Sequence, residues 1–152
     1  HPSYEVKREY MARIHGEVTE AMIKRLMEGV VLEDGIAKFQ TVKAQHSRSG
    51  DERSSSNNWF RVILAEGRTR EVRRLWESQD VEVNRLKRIS YGPIELPSIV
   101  RRSEFIELDP KQVVSLFNAV KLRPPRFTEK TLHRDIRQRK EKKLRARGDT
   151  SK

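Results

Sequence analysis

Apolar residues recur with two different periods in the first half of the chain. Residues 6–16 alternate between apolar and polar positions, with Tyr10 on the apolar side, which predicts a half-buried strand. The next apolar residues recur at helical spacing, which predicts a helix capped by Thr19 and stopped by Gly29. The Asp34-Gly35 pair then predicts a hairpin between two short strands.

The second half repeats this order. Residues 59–65 predict a strand, a short arginine-rich helix follows, and residues 81–89 predict another strand that Gly92-Pro93 ends. The sequence strand, helix, strand, strand, helix, strand is that of a split βαβ unit. We therefore predict an α+β, ferredoxin-like fold with a mixed, mainly antiparallel sheet. Asp109 and Pro110 predict the start of a final helix.

The arginine-rich helix places charge in a defined way. With Thr69 as its cap, an apolar stripe of Val72, Leu75 and Trp76 faces the core, while Arg70 and Arg74 lie one turn apart on the outer side. Arg73 falls on the border between these faces, where a planar guanidinium can be held by the core and still bind a carboxylate or phosphate. A merely solvated basic helix face is the alternative interpretation.

Composition limits the possible classes of protein. The 152 residues suit a single domain, and the net charge of +11 favours a nucleic-acid partner. Residues 121–152 carry 13 Lys and Arg against 4 Asp and Glu, whereas residues 1–120 are nearly neutral. We expect a globular part over residues 1–122 and a basic, flexible tail over 123–152. The absence of cysteine and of a long apolar run favours a cytoplasmic protein without a membrane partner.

Three segments, spaced in order, resemble the later motifs of the bacterial ribosomal pseudouridine synthases. They are Lys7-Arg8-Glu9-Tyr10, residues 66–75, and residues 85–96 with the sequence RLKRISYGPIEL. The family in question contains small-subunit synthase A and large-subunit synthases B, E and F, and residues 76–77, 81–85 and 91–92 are most similar to its B branch. The resemblance covers about residues 1–120.

The resemblance implies an enzyme that detaches uracil from its ribose in ribosomal RNA, turns it and rejoins it through carbon 5, without a cofactor. It assigns a catalytic tyrosine to Tyr10 and a basic residue, the partner of the nucleophilic aspartate, to Arg73. The family's Gly-Arg-Leu-Asp segment does not occur in this sequence. Tyr10 packed on the sheet, and Arg73 paired with Glu71 or Glu77, are the structural alternatives.

The same resemblance implies further site residues. Leu86 and Leu96 match positions that line the base pocket, although both could equally be ordinary core leucines. Candidates for phosphate contacts, which position RNA without reading its sequence, are Arg68, Arg70, Arg74, Arg85, Lys87 and Arg88. The isolated histidines have no metal-ligand spacing, so we assign no metal.

We therefore predict part of a pseudouridine synthase acting on ribosomal RNA, 23S in preference to 16S. A fragment without the nucleophile is expected to be inactive alone and to require an N-terminal half that includes an S4-like domain. The alternative is a non-catalytic RNA-binding module of the ribosome or its assembly. A typical RRM is disfavoured because the strand over residues 59–64 lacks the glycines of the RRM motif.

Overall fold

The computed structural model describes residues 5–45, 57–101 and 103–127. The chain divides into two compact units, His1–Val100 and Arg101–Lys152. Three helices and seven strands lie in the described ranges: β1 (Arg8–His15), α1 (Glu20–Glu28), β2 (Val30–Leu32), β3 (Gly35–Ala37), β4 (Thr41–Gln45), β5 (Asn57–Leu64), α2 (Glu71–Glu77), β6 (Glu82–Tyr91), β7 (Ile94–Glu95) and α3 (Pro110–Ala119).

Five strands form one sheet in the order β4-β5-β1-β6-β7, and β2 pairs with β3 in a separate hairpin. Every pairing between described strands is antiparallel. The order places β1 between β5 and β6, so each helix connection passes over a neighbouring strand, as a split βαβ unit requires. The predicted α+β fold and split βαβ unit are confirmed.

The two helices of the first unit contribute to a single apolar core on one side of the sheet. Alternate residues of β1 and β5 point into it, and Trp76 of α2 is fully buried. The Trp76 ring centroid lies 5.9 Å from that of Phe39 and 5.2 Å from that of Phe60. A buried tryptophan covers about 150–250 Å², so this cluster anchors α2 to the sheet. We call this side the covered face.

The start of α2 differs from the prediction. Thr69 does not cap the helix, because Arg70 occupies the N-cap position in the left-handed region at φ 52° and makes no side-chain cap. Glu71 instead closes the turn: its Oε2 accepts from the Arg68 backbone N–H at 3.0 Å. The predicted burial of Val72, Leu75 and Trp76 is confirmed, and so is the half-buried position of Arg73.

Other local predictions are confirmed with small shifts. The α1 helix begins after Thr19, whose hydroxyl accepts from the Met22 N–H, and it ends at Gly29. In the second unit, Asp109 caps α3 and its carboxylate accepts from Gln112 N–H at 2.8 Å. No helix among the described residues is long and apolar enough to span a membrane. Most of the predicted basic tail lies outside the described residues.

Candidate active site

A cavity of about 270 Å³ opens beside the covered face, where β1, β6 and the start of α2 meet. It is smaller than the roughly 300–1,000 Å³ of clefts that hold drug-sized ligands, which suits one planar base. Its lining combines aromatic, aliphatic and cationic side chains: Arg8, Tyr10, Leu64, Gly67, Arg68, Arg70, Glu71, Val72, Leu86 and Arg88. The predicted Tyr10 and Leu86 therefore share a cavity with three of the predicted phosphate-binding arginines.

Tyr10 lies under a guanidinium. Arg88 Nε donates to the Tyr10 hydroxyl at 3.2 Å, and Arg88 Cζ lies 5.4 Å from the centre of the Tyr10 ring and 5.8 Å from that of Tyr91. A shift in the β1–β6 register next to Tyr10 makes Arg88, and not Ile89, its cross-strand partner. The register from Leu86 to Arg88 is unbroken, so alternation places both side chains on the cavity side, and the shift lies beyond Arg88.

Arg8 fastens the loop that leads into α2, a role that sequence reasoning did not assign. Its Nη1 donates to the carbonyls of Ala65 and Glu66, both at 2.8 Å, and its Cζ lies 5.2 Å from the centre of the Tyr91 ring. A Cβ on Gly67 would lie only 2.8 Å from Arg8 Cζ. The Lys7-Arg8-Glu9-Tyr10 segment did not reveal this role, because it depends on a contact between distant segments.

Glu71 is the one buried carboxylate among the described residues. It is 3% exposed, its Oε2 accepts from Arg68 N–H, and its Oε1 has no partner among the described residues. Burial raises the pKa of Glu71 above 4.5, and the Arg68 N–H opposes that shift only partly. The cavity wall therefore contains a carboxyl group whose charge is disfavoured.

Two of the predicted phosphate-binding arginines already have a protein partner. Arg74 forms a bidentate pair with Asp34 of the β2–β3 turn at 2.9 and 2.8 Å, and Arg68 lies 3.4 Å from the same carboxylate. Arg74, followed by Arg68, lowers the pKa of Asp34 to about 2. These arginines hold the hairpin against α2, so they are less available to RNA than Arg70, whose Nη2 lies 3.6 Å from Glu77.

The second candidate catalytic residue is not in this cavity. Arg73 is half-buried, and its Nη1 donates to the carbonyl of Val83 in β6. Neither alternative partner engages it: within the described ranges Arg73 forms no ion pair, because Glu71 turns toward Arg68 and Glu77 toward Arg70. The lining of the cavity beside Tyr10 therefore does not include Arg73.

Three other predicted site residues lie elsewhere. Leu96 is 43% exposed and does not line the cavity, although its backbone N–H still donates to the Ile89 carbonyl of β6 at 2.8 Å. Arg85 and Lys87 are exposed and pair in register with Arg13 and Met11, on the sheet face opposite the core. In the described parts of the chain, no group of three or more His, Cys, Asp or Glu side chains is arranged to hold a metal ion.

Comparison with known proteins gives the family context. The chain is 44% identical over 143 residues to ribosomal large subunit pseudouridine synthase B of Pseudomonas aeruginosa, covering 92% of this chain and 36% of that protein. The Vibrio cholerae protein of the same name is 45% identical over 146 residues, covering 96% and 44%. The chain is homologous to these synthases. The predicted resemblance is thereby confirmed.

Two further findings define the extent of the similarity. The Escherichia coli K12 synthase B is 44% identical over 145 residues, and the chain spans 48% of it; the chain thus covers less than half of each of these relatives. A crystal structure of a pseudouridylate synthase superposes with a TM-score of 0.60 at 20% identity, covering 76% of this chain and 46% of that one, which supports the fold. No protein-family model matches.

Proposed function

We propose that this chain is part of a pseudouridine synthase that isomerises uridine in ribosomal RNA, 23S in preference to 16S, in the cytoplasm. The observation that carries the proposal is the identity of 44–45% to ribosomal large subunit synthases B over more than nine-tenths of the chain. The cavity beside Tyr10 supports it, because a flipped base needs a small pocket with an aromatic wall.

In this proposal the Tyr10 ring replaces part of the stacking that a flipped uracil loses, about 1–3 kcal/mol per base. Its hydroxyl, hydrogen-bonded by Arg88, can relay the proton that leaves carbon 5, because the guanidinium stabilises negative charge developing on the oxygen. Leu86 forms the apolar side of the pocket, while Arg70 and Arg88 contact phosphates at its rim. No cofactor takes part.

Arg73 acts with a group that this sequence does not contain. The chain lacks a Gly-Arg-Leu-Asp segment, so we propose that the nucleophilic aspartate comes from an N-terminal part of the same protein that also carries an S4-like domain. Arg73 uses Nη1 for the Val83 carbonyl, and a guanidinium has further donors for a carboxylate. Residues 123–152 form a basic tail that adds non-specific phosphate contacts.

The test is release of tritium from uridine carbon 5 in unmodified 23S rRNA. We expect no release by the chain alone and release when an upstream half containing the aspartate is supplied. In the active enzyme, Arg73→Ala should lower kcat/KM by the cost of leaving a partly buried carboxylate unpaired, about 3–5 kcal/mol.

Arg70→Ala and Arg74→Ala are the matched controls on the same helix. Arg70 contributes only a phosphate contact and Arg74 is paired with Asp34, so both variants should lower kcat/KM less than Arg73→Ala does. Release of tritium by the chain alone, or equal losses from all three variants, would contradict the proposal and favour a non-catalytic RNA-binding helix.

A further inference from the structure

The sheet has a second face, opposite the core, that none of the described helices of the first unit covers. Register and alternation place on it side chains from five strands: Glu9, Met11, Arg13, His15, Thr41, Lys43, Gln45, Trp59, Arg61, Ile63, Glu82, Arg85, Lys87, Ser90 and Glu95. We call this set the open face. None of its members is buried, whereas their neighbours Ala12, Phe60 and Val62 are 0–4% exposed in the core.

The open face is basic. Five of its fifteen side chains are Arg or Lys and three are Glu, and of these glutamates Glu9 is already engaged. Arg61 forms an ion pair with Glu9, and the Ser90 hydroxyl donates to the same carboxylate at 3.4 Å. The hydrogen bond from Arg61 lowers the pKa of Glu9, so Glu9 neutralises one cation. Arg13, Lys43, Arg85 and Lys87 form no direct ion pair among the described residues, although the charge of Lys43 also helps to lower the pKa of Glu9.

The cations surround apolar side chains in rows that cross the strands. Trp59 pairs in register with Arg13, which pairs in turn with Arg85. In the next row, Met11 lies between Arg61 and Lys87. A half-buried tryptophan ring next to guanidinium groups offers a stacking platform for a base, and the cations on both sides offer contacts for the phosphates.

We propose that the open face binds single-stranded RNA, as a second surface separate from the cavity beside Tyr10. Charge complementarity selects this partner: an acidic protein surface would match the cations but would leave the tryptophan ring unused. The split βαβ architecture makes the site possible, because its helices lie on one side and leave the other side of the sheet open, the geometry with which RRM sheets stack bases. The lack of RRM glycines does not bear on this face, since Trp59 is presented by the alternation of β5 alone.

This inference extends the proposed function, since a substrate strand held on the open face would hold RNA beside the target uridine. It also changes the role of two predicted residues. Arg85 and Lys87 cannot contact the phosphates around a base in the Tyr10 cavity, because they point from the opposite face of β6. They bind a different stretch of RNA.

The test uses the whole chain and a fluorescein-labelled 12-nucleotide oligouridine. Trp59→Ala should weaken binding about 5- to 150-fold, the loss expected for one stacked base, and Trp59→Phe should restore most of it. Binding should also quench tryptophan emission in the unchanged chain but not in Trp59→Phe, because the other tryptophan, Trp76, is 0% exposed in the core.

The charge contribution is tested by salt dependence. Arg85→Gln with Lys87→Gln should reduce the slope of log K against log salt by about 1.4, since each single-strand phosphate contact contributes about 0.7. The matched control replaces two exposed cations of the first unit that are not on this face, Lys24 on α1 and Lys38 after β3. Its slope should stay close to that of the unchanged chain.

Several results would overturn the inference: an unquenched Trp59, Trp59→Ala binding as tightly as Trp59→Phe, or equal slopes for the two double variants. Tighter binding of a 12-base-pair duplex would mean that the face reads backbone shape without stacking. A change in oligomeric state or melting temperature without a change in RNA affinity would make the face a protein interface. Failure of the tritium assay would leave these binding results unaffected, so the two proposals are tested separately.

Discussion

Replacing Gly67 by Ala tests the contact between Arg8 and the loop that leads into α2. The added Cβ would lie 2.8 Å from Arg8 Cζ and 2.9 Å from Nε. The guanidinium must therefore move, and its hydrogen bonds to the carbonyls of Ala65 and Glu66, both 2.8 Å long, lengthen or break. Gly67 is not in the left-handed region of φ, so alanine meets no backbone strain there.

The magnitude follows from two opposing effects. A hydrogen bond from a charged donor contributes about 1.5–3 kcal/mol, and because one of these two bonds is exposed we take about 2 kcal/mol for their joint loss. Alanine restricts the unfolded chain and returns about 0.4–1 kcal/mol. Gly67→Ala should therefore lower the free energy of unfolding by about 1–2 kcal/mol.

The same substitution should have the opposite sign when Arg8 is absent. In an Arg8→Met background no guanidinium fills the space beside Gly67, so only the entropic gain of about 0.4–1 kcal/mol remains. The unchanged chain, the two single variants and the double variant are unfolded in urea and followed by circular dichroism. The four free energies of unfolding give the coupling energy between Arg8 and position 67, which should be about 2 kcal/mol. An exposed neighbour, Lys7→Met, is the control background, in which Gly67→Ala should remain destabilising. Equal effects of Gly67→Ala in the unchanged chain and in the Arg8→Met background would refute the reasoning.

Three further predictions concern stability. Because burial raises the pKa of Glu71, the folded protein binds more protons than the unfolded one above pH 4.5, and stability should fall as pH rises through the raised value. Glu71→Gln should remove this dependence and stabilise the protein at pH 7 by about 1 kcal/mol in urea denaturation, while the exposed Glu77→Gln should not. Asp34 has a pKa of about 2 against an ordinary 3.8, so its stabilising contribution is complete above pH 4 and is lost as pH falls toward 2. In Asp34→Asn the melting temperature should therefore change less between pH 4 and pH 2 than it does in the unchanged chain. The same fall in melting temperature for both proteins would contradict the pairing of Asp34 with Arg74. Trp76→Ala should cost about 3–5 kcal/mol, whereas Phe105→Ala, at a side chain 87% exposed, should cost almost nothing.

Most of the fold could be predicted because hydrophobic periods report which side of an element is buried. Alternation identified β1 and the core-facing side of Ala12 and Ile14, and helical spacing identified α1 and the buried Trp76. The Asp109 cap was predictable for the same reason, since capping depends on neighbours in sequence. The family resemblance likewise depended on linear motifs, and the synthase B homologues confirm it.

The candidate site depended on contacts between segments far apart in the chain. Alternation places Arg88 on the same side of β6 as Leu86, but only the pairing of β6 with β1 brings it to Tyr10. Asp34 neutralises Arg74 from a hairpin 40 residues away, so counting arginines in the helix overestimated the charge available to RNA. A register depends on the pairing of whole strands, and an ion pair depends on where two elements meet. The sequence by itself determined which residues are buried and which family the chain resembles, whereas the tertiary structure decided which charges remain unpaired and toward which face they point.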